Sequence, residues 1–162
     1  MLTFELTSPD FEPGSSLPSS ARGRGAGGDD RSPALNWSGA PTQTRSFVLT
    51  LHDPDAPKSG GWWHWVVTDL PASIDSLPQN AGDPNARLLP AGVVTHPNEV
   101  GEARFDGAAP PRGHGPHRYV FTLSALDVDL LDLPSDATAA SVERALGDHL
   151  LARAELIGIS ET

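Results

Sequence analysis

The sequence contains no cysteine, so no disulfide can staple the fold and no thiolate can act as nucleophile or metal ligand. Positive charge is scarce too. Lys and Arg number 11 against 21 Asp and Glu in 162 residues, a formal net charge of −10. Such a surface repels a phosphate backbone and an anionic bilayer, so nucleic acid is not an expected partner. No apolar run reaches the roughly 18 residues that mark a membrane-spanning helix, and the opening Met1-Leu-Thr-Phe-Glu-Leu-Thr-Ser8 lacks the basic start and long apolar stretch of a secretory signal. The expectation is a cytoplasmic protein with no integral membrane association, a monomer or homodimer.

What the sequence does have is punctuation. Its 16 Gly and 16 Pro cut it into short apolar runs, the pattern of an antiparallel, all-β sandwich with long loops. Strands are expected over residues 2–7, 46–52, 63–68, 88–95, 119–126 and 154–159. Residues 46–51 and 119–126 are almost continuously apolar, as in strands covered on both faces, and are placed at the centre. Val142, Leu146 and Leu150, with Ala145 and Leu151 beside them, form a helical stripe, so a C-terminal helix over residues 138–153 should pack on the sandwich. Residues 13–32 are rich in Gly, Ser and Pro and read as a solvated loop rather than an anion-binding arm. With too little chain before that loop to fold alone, residues 1–162 form one domain.

Chemistry concentrates in two segments: Asp53-Pro-Asp-Ala-Pro57 leading to Trp62-Trp-His-Trp65, and Pro110-Pro111-Arg-Gly-His-Gly-Pro-His-Arg-Tyr119. Asp53 follows directly on a strand, where prolines fix the backbone after it. Period-2 alternation sends His64 to the face opposite Trp63 and Trp65. His117 stands at the start of a further strand, so three strand ends can converge on one pocket. Two imidazoles can donate hydrogen bonds to a phosphate or carboxylate, and Asp53 can accept from an amine or hold an imidazole tautomer. Taken singly, each of these residues has an ordinary structural role. The histidines read as half-buried polar groups, Asp53 and Asp55 as turn formers, and the tryptophans as core. Only the ensemble points to a site.

That ensemble resembles the phosphatidylethanolamine-binding protein family, in its bacterial Raf kinase inhibitor-like branch. Asp-Pro-Asp-Ala-Pro stands at 53–57, the aromatic-His-Trp block at 62–65 runs into Val-Val-Thr-Asp-Leu-Pro71, and residues 110–119 match Pro-Pro-x-Gly-x-x-x-His-Arg-Tyr. Phe105-Asp106-Gly107-Ala108 departs from the family's Tyr-x-Gly-Pro, and Asp30 stands for a more usual Asn. The resemblance implies a small anion pocket lined by Asp53, Trp62, His64, Pro110, Pro111, His117 and Tyr119. Its ligand would be of the phosphate, acetate or phosphoethanolamine type, a phospholipid head group included. It also implies a cis peptide at Ala56-Pro57. The implied role is regulatory or inhibitory binding, with no cofactor, no metal and no catalytic residue, toward an unknown protein target. Two alternatives stand beside it: a hydrolase using the Asp/His pocket, and a protease or kinase inhibitor acting through surface loops. A metal site of His52, Asp53, Asp55 and His64 conflicts with alternation, because His52 and Asp53 point to opposite faces.

Overall fold

The structure, a computed structural model, describes residues 3–162. Its strands are β1 (Glu5–Thr7), β2 (Leu35–Ser38), β3 (Ser46–Asp53), β4 (Trp62–Pro71), β5 (Ser76–Leu77), β6 (Val94–His96), β7 (His117–Leu126) and β8 (Leu150–Ser160), with the helix α1 (Ala139–Leu146) before β8. Strands β1, β2 and β5 form a small sheet in the order β1-β2-β5. The large sheet runs β6-β4-β3-β7-β8, and every pairing in both sheets is antiparallel. Of the first predicted strand, Leu2 lies outside the described residues.

Alternation along β3 shows how the layers form. Phe47, Leu49 and Leu51 face a core shared with Leu6, Leu35, Trp37 and Leu77 of the small sheet. Val48 faces the other way, into a second cluster with Val66, Leu126 and the α1 residues Ala139, Val142 and Leu146. The large sheet is therefore covered on both faces, and β3 and β7 sit inside it as their apolar sequences predict.

Three expectations need correction. The C-terminal helix is shorter than residues 138–153. Thr138 caps its start, with Oγ1 accepting from Ser141 N at 3.2 Å. Gly147, at φ +40°, ends it, and Leu150 onward joins the ladder to β7 instead. The stripe misled because Leu150 packs on the second cluster from a strand, not from a helix. Residues 88–93 are a loop that turns at Ala91 and Gly92, the latter at φ +86°, and only Val94–His96 pairs with β4. Finally, residues 13–32 are not a solvated loop. Leu17, Ala21 and Ser32 are buried. Leu17 N donates to Ile159 O (2.8 Å) and Gly23 N to Ala108 O (2.8 Å), which ties the segment to β8 and to the residues before the proline pair. The short strands β2 and β5 went unpredicted, since four and two residues carry too little periodicity to read.

Leu146 is 1% exposed at the end of α1. Leu146→Ala should cost about 2–5 kcal/mol, the usual range for emptying a buried leucine site. Urea unfolding with an unchanged slope is the measurement.

Candidate functional site

The ladder aims the side chains. Asp53 is the last residue of β3 and pairs with Trp62, the first of β4. Period 2 carries it to the same face as Phe47, Leu49 and Leu51. His117 and Tyr119, two apart at the start of β7, share that face. The bond between Ala56 and Pro57 is trans, contrary to the expectation. Ladder pairing already places the carboxylate, and Pro57 stiffens the loop while lining the cavity below it.

His64 reaches the pocket by a different device from the one predicted. Leu51 pairs with Trp65 but His52 pairs with Trp63, so His64 is an extra residue in β4, a β-bulge. The bulge breaks alternation. Trp65 lies in the inter-sheet core beside Phe105, with ring centroids 5.7 Å apart, while Trp63 turns outward against His52 at 4.3 Å. His64 shares the Trp65 side, its ring 5.3 Å from that of Tyr119. The two tryptophans therefore do not share a face opposite His64.

One cavity of about 380 Å³ gathers Asp53, Trp62, His64, Pro110, Pro111, His117 and Tyr119. The sequence reading missed Arg24, Asp30, Lys58, Asp106 and Gly107, which also line it. Their signals were present but faint: an Arg-Gly-Arg-Gly run in an acidic chain, a lysine just after the prolyl motif, and an aspartate at a departure from the family pattern. Asp30 is the clasp of that wall, accepting from Gly107 N at 2.8 Å and Arg24 N at 3.2 Å. Gly107 is required there, since a Cβ would come within 2.5 Å of the Gly23 backbone nitrogen.

Asp53 is only 2% exposed. A carboxylate so placed must be solvated by the protein. His117 Nδ1–H donates to Oδ2 at 2.7 Å, and the backbone N–H of Asp55 donates to Oδ1 at 2.8 Å. Burial, and then the neighbouring Asp53 charge, push the Tyr119 phenol up. His64 donates from Nδ1 to the Asp106 carbonyl at 2.8 Å, which leaves Nε2 as the nitrogen not so engaged. Burial holds the His64 pKa below the ordinary histidine value, opposed by Asp106, and burial pushes Asp106 itself up. At the rim, Lys58 lies 5.4 Å from the Trp62 ring centre and pairs with Glu99. His52 sits on the outer face of the sheet, with Nε2 at 2.7 Å from Gly60 O, so it shares no site with Asp53.

The geometry matches a known family. The family model described as phosphatidylethanolamine-binding protein covers residues 7–161. The chain belongs to the phosphatidylethanolamine-binding protein family. It is 43% identical to the UPF0098 protein YbhB of Escherichia coli over 154 residues, 94% of this chain and 96% of that protein. With the UPF0098 protein YbcL of the same organism it shares 40% over 160 residues, 98% of this chain and 87% of that protein. The crystal structure of YbcL, described as a new member of the mammalian family, superposes with a TM-score of 0.93 at 40% identity over 98% of each chain. A Chlamydia trachomatis homologue of the family superposes at 0.85 with 31% identity, covering 100% of this chain and 99% of that one.

Two outcomes are expected of the polar floor. His117→Ala should destabilise the fold by about 1–3 kcal/mol, because it strips a charge-assisted donor from a buried carboxylate; His114→Ala, which removes only the neutral outer partner of His117 Nε2, should cost less, about 0.5–1.5 kcal/mol. Denaturant melts of the two variants are the check. Arg118, through its side chain and then its backbone N–H, holds the Asp55 carboxyl down at about 2. A depressed acid stabilises the fold above its unfolded value near 4 and loses that contribution as pH falls toward about 2. Exposure of the pair keeps that contribution small, so Arg118→Gln should narrow its gap to the parent protein between pH 5 and pH 2.5.

Proposed function

We propose that the chain is a binding protein of regulatory type whose pocket takes a small anionic group of the phosphate, acetate or phosphoethanolamine kind. The observation that carries this reading is the gathering of Asp53, His64, His117 and Tyr119 in one cavity with Arg24 and Lys58 at its rim. Of the three carboxyl groups in the lining, Asp30 and Asp53 have donors of their own, and burial pushes the Asp106 carboxyl up, toward its neutral form. Asp30 is held by two backbone amides, and Asp53 by an imidazole and an amide. Arg24 and Lys58 can steer an anion inward. A polar-lined cavity of this size is the ordinary form of a small-ligand site.

The direct test is native mass spectrometry of the purified protein followed by calorimetric titration with phosphate, acetate and phosphoethanolamine. Binding by none of them overturns the reading, as does turnover of esters or phosphoesters.

Proton linkage is the sharper prediction. Burial keeps the His64 pKa low, and an anion beside the pocket floor favours uptake of a proton by the groups around that floor. The complex then binds more protons than the free protein, so affinity falls as pH rises. For methanesulfonate, whose charge is fixed, affinity should drop between pH 6 and pH 8 by up to about tenfold per unit, the limit for one proton. A flat profile would mean recognition by backbone donors and rim cations alone.

A further inference from the structure

The buried Asp53–His117 pair continues outward. Nε2 of His117 meets Nδ1 of His114 at 2.6 Å, with the rings 4.9 Å apart and tilted by 63°. His114 is exposed and does not line the cavity. Asp53, His117 and His114 therefore form a hydrogen-bonded row from the pocket floor to solvent. The turn that brings His114 back over the start of β7 is bounded by Gly113 at φ +77° and Gly115 at φ +84°, conformations that L side chains rarely adopt.

The row also constrains what His117 can do. A contact between two imidazole nitrogens needs one proton and one lone pair. With Nδ1–H of His117 given to Asp53, neutral His117 presents a lone pair at Nε2, and Nδ1–H of His114 must fill it. Both nitrogens of His117 are thus engaged, and neither is open to a ligand. The functional value of His117 then lies in what it connects.

We propose that His114 is a positioning residue, the solvent end of a proton-sharing row His114–His117–Asp53 through which the pocket floor takes up one proton when an anion binds. This rests on the anion-binding reading above and names the route of its proton. A solvent proton bonds to Nε2 of His114. The Nδ1–H of His114 passes to Nε2 of His117, and the Nδ1–H of His117 passes to Asp53 Oδ2. Each N–H bond broken is matched by one N–H or O–H bond formed. The row ends with a neutral Asp53, two neutral imidazoles protonated at Nε2, and one positive charge gained overall. An anion arriving at the floor then meets a neutral acid in place of a carboxylate.

The surroundings favour this path. Arg118 is engaged by Asp55 through two side-chain hydrogen bonds, so among the described residues no arginine or lysine is bonded to Asp53. Tyr119 stands beside Asp53 on β7, its phenol kept protonated by burial and by that charge, and Arg22 acts on the phenol from the packed 22–30 segment. Across the cavity on β4, His64 feels Asp53 and Asp106, yet burial opposes its charging. Arg112, in the His114 turn, is exposed to water, where its charge is screened. His114 alone in the row meets bulk water, so it can load a proton even when a ligand closes the cavity mouth.

The experiment has two arms. In the ligand-free protein, imidazole ¹⁵N resonances should show His114 and His117 responding together through one coupled titration; a His117 signal that ignores the titration of His114 overturns the row. In calorimetry with methanesulfonate across buffers of different ionisation heat, the parent protein should take up close to one proton per anion at pH 7. His114→Gln keeps a hydrogen-bonding side chain but replaces the imidazole lone pair that accepts from His117 Nε2–H in the protonated row with a far less basic amide oxygen, so the protonated row is less stable. It should cut the uptake by at least half and flatten the slope of affinity from about tenfold to under about threefold per pH unit. Unchanged uptake and slope in His114→Gln overturn the proposal. Failure of the parent protein to bind methanesulfonate counts against the anion reading, and the resonance arm still decides whether the row exists.

Discussion

A buried carboxylate is the constraint around which this structure is arranged. Asp53 sits almost wholly out of water at the end of β3. An ion left unpaired there would cost several kcal/mol. The fold meets that cost with an imidazole from β7 and an amide from the turn after β3. Each donor is placed by a different part of the chain, so the carboxylate binds the β3–β7 pairing and the prolyl turn to a single geometry. The Asp55–Arg118 pair, just outside, repeats the link between the same turn and the same strand in the open. There it is screened and contributes little, whereas the buried pair makes the register at this end of the sheet hard to alter.

The bulge at His64 makes the pocket and the core one construction. By adding a residue to β4, it puts an imidazole and Trp65 on the same side of the sheet. His64 is thereby committed to Asp106 by two contacts: its ring Nδ1 donates to the Asp106 carbonyl, and its own carbonyl accepts from Asp106 N. Trp65 packs on Phe105, the residue before Asp106. The loop that carries the Pro110-Pro111 rim therefore rests on core packing as much as on hydrogen bonds. Interiors this dense transmit small changes, which ties the tilt of the pocket wall to the shape of the inter-sheet core.

The opposite wall has another origin. Residues 22–30 carry no long apolar run, yet they are held by Asp30, by the exchange of backbone hydrogen bonds with Ala108, and by the space that Gly107 leaves open. Positive charge in an acidic protein is thus delivered to the cavity wall, at Arg24 beside Asp30, without a basic patch anywhere in the composition. Net charge describes the surface as a whole and is blind to such placement.

Much of the architecture was legible in the chain itself. The nearly continuous apolar runs at residues 46–51 and 119–126 determined central strands, because a strand covered on both faces buries side chains at every position. The two motif segments determined which residues meet, and Asp53, His64, His117 and Tyr119 do line one cavity. Local pattern was insufficient wherever a long-range pairing competed with it. Leu150 continues a helical stripe but belongs to β8, since the β7 ladder satisfies its backbone better than a helix continued past Gly147. Residues 13–32 look like a solvated loop in composition, and only β8 and Ala108, far away in sequence, supply the partners that fold them down. The side of the sheet taken by His64 depended on a bulge, which is a mismatch between two strands and cannot be read from one of them. The same holds for His117: its place in the pocket was written in the motif, but the engagement of both its nitrogens, one by Asp53 and one by His114, was decided when three segments came together.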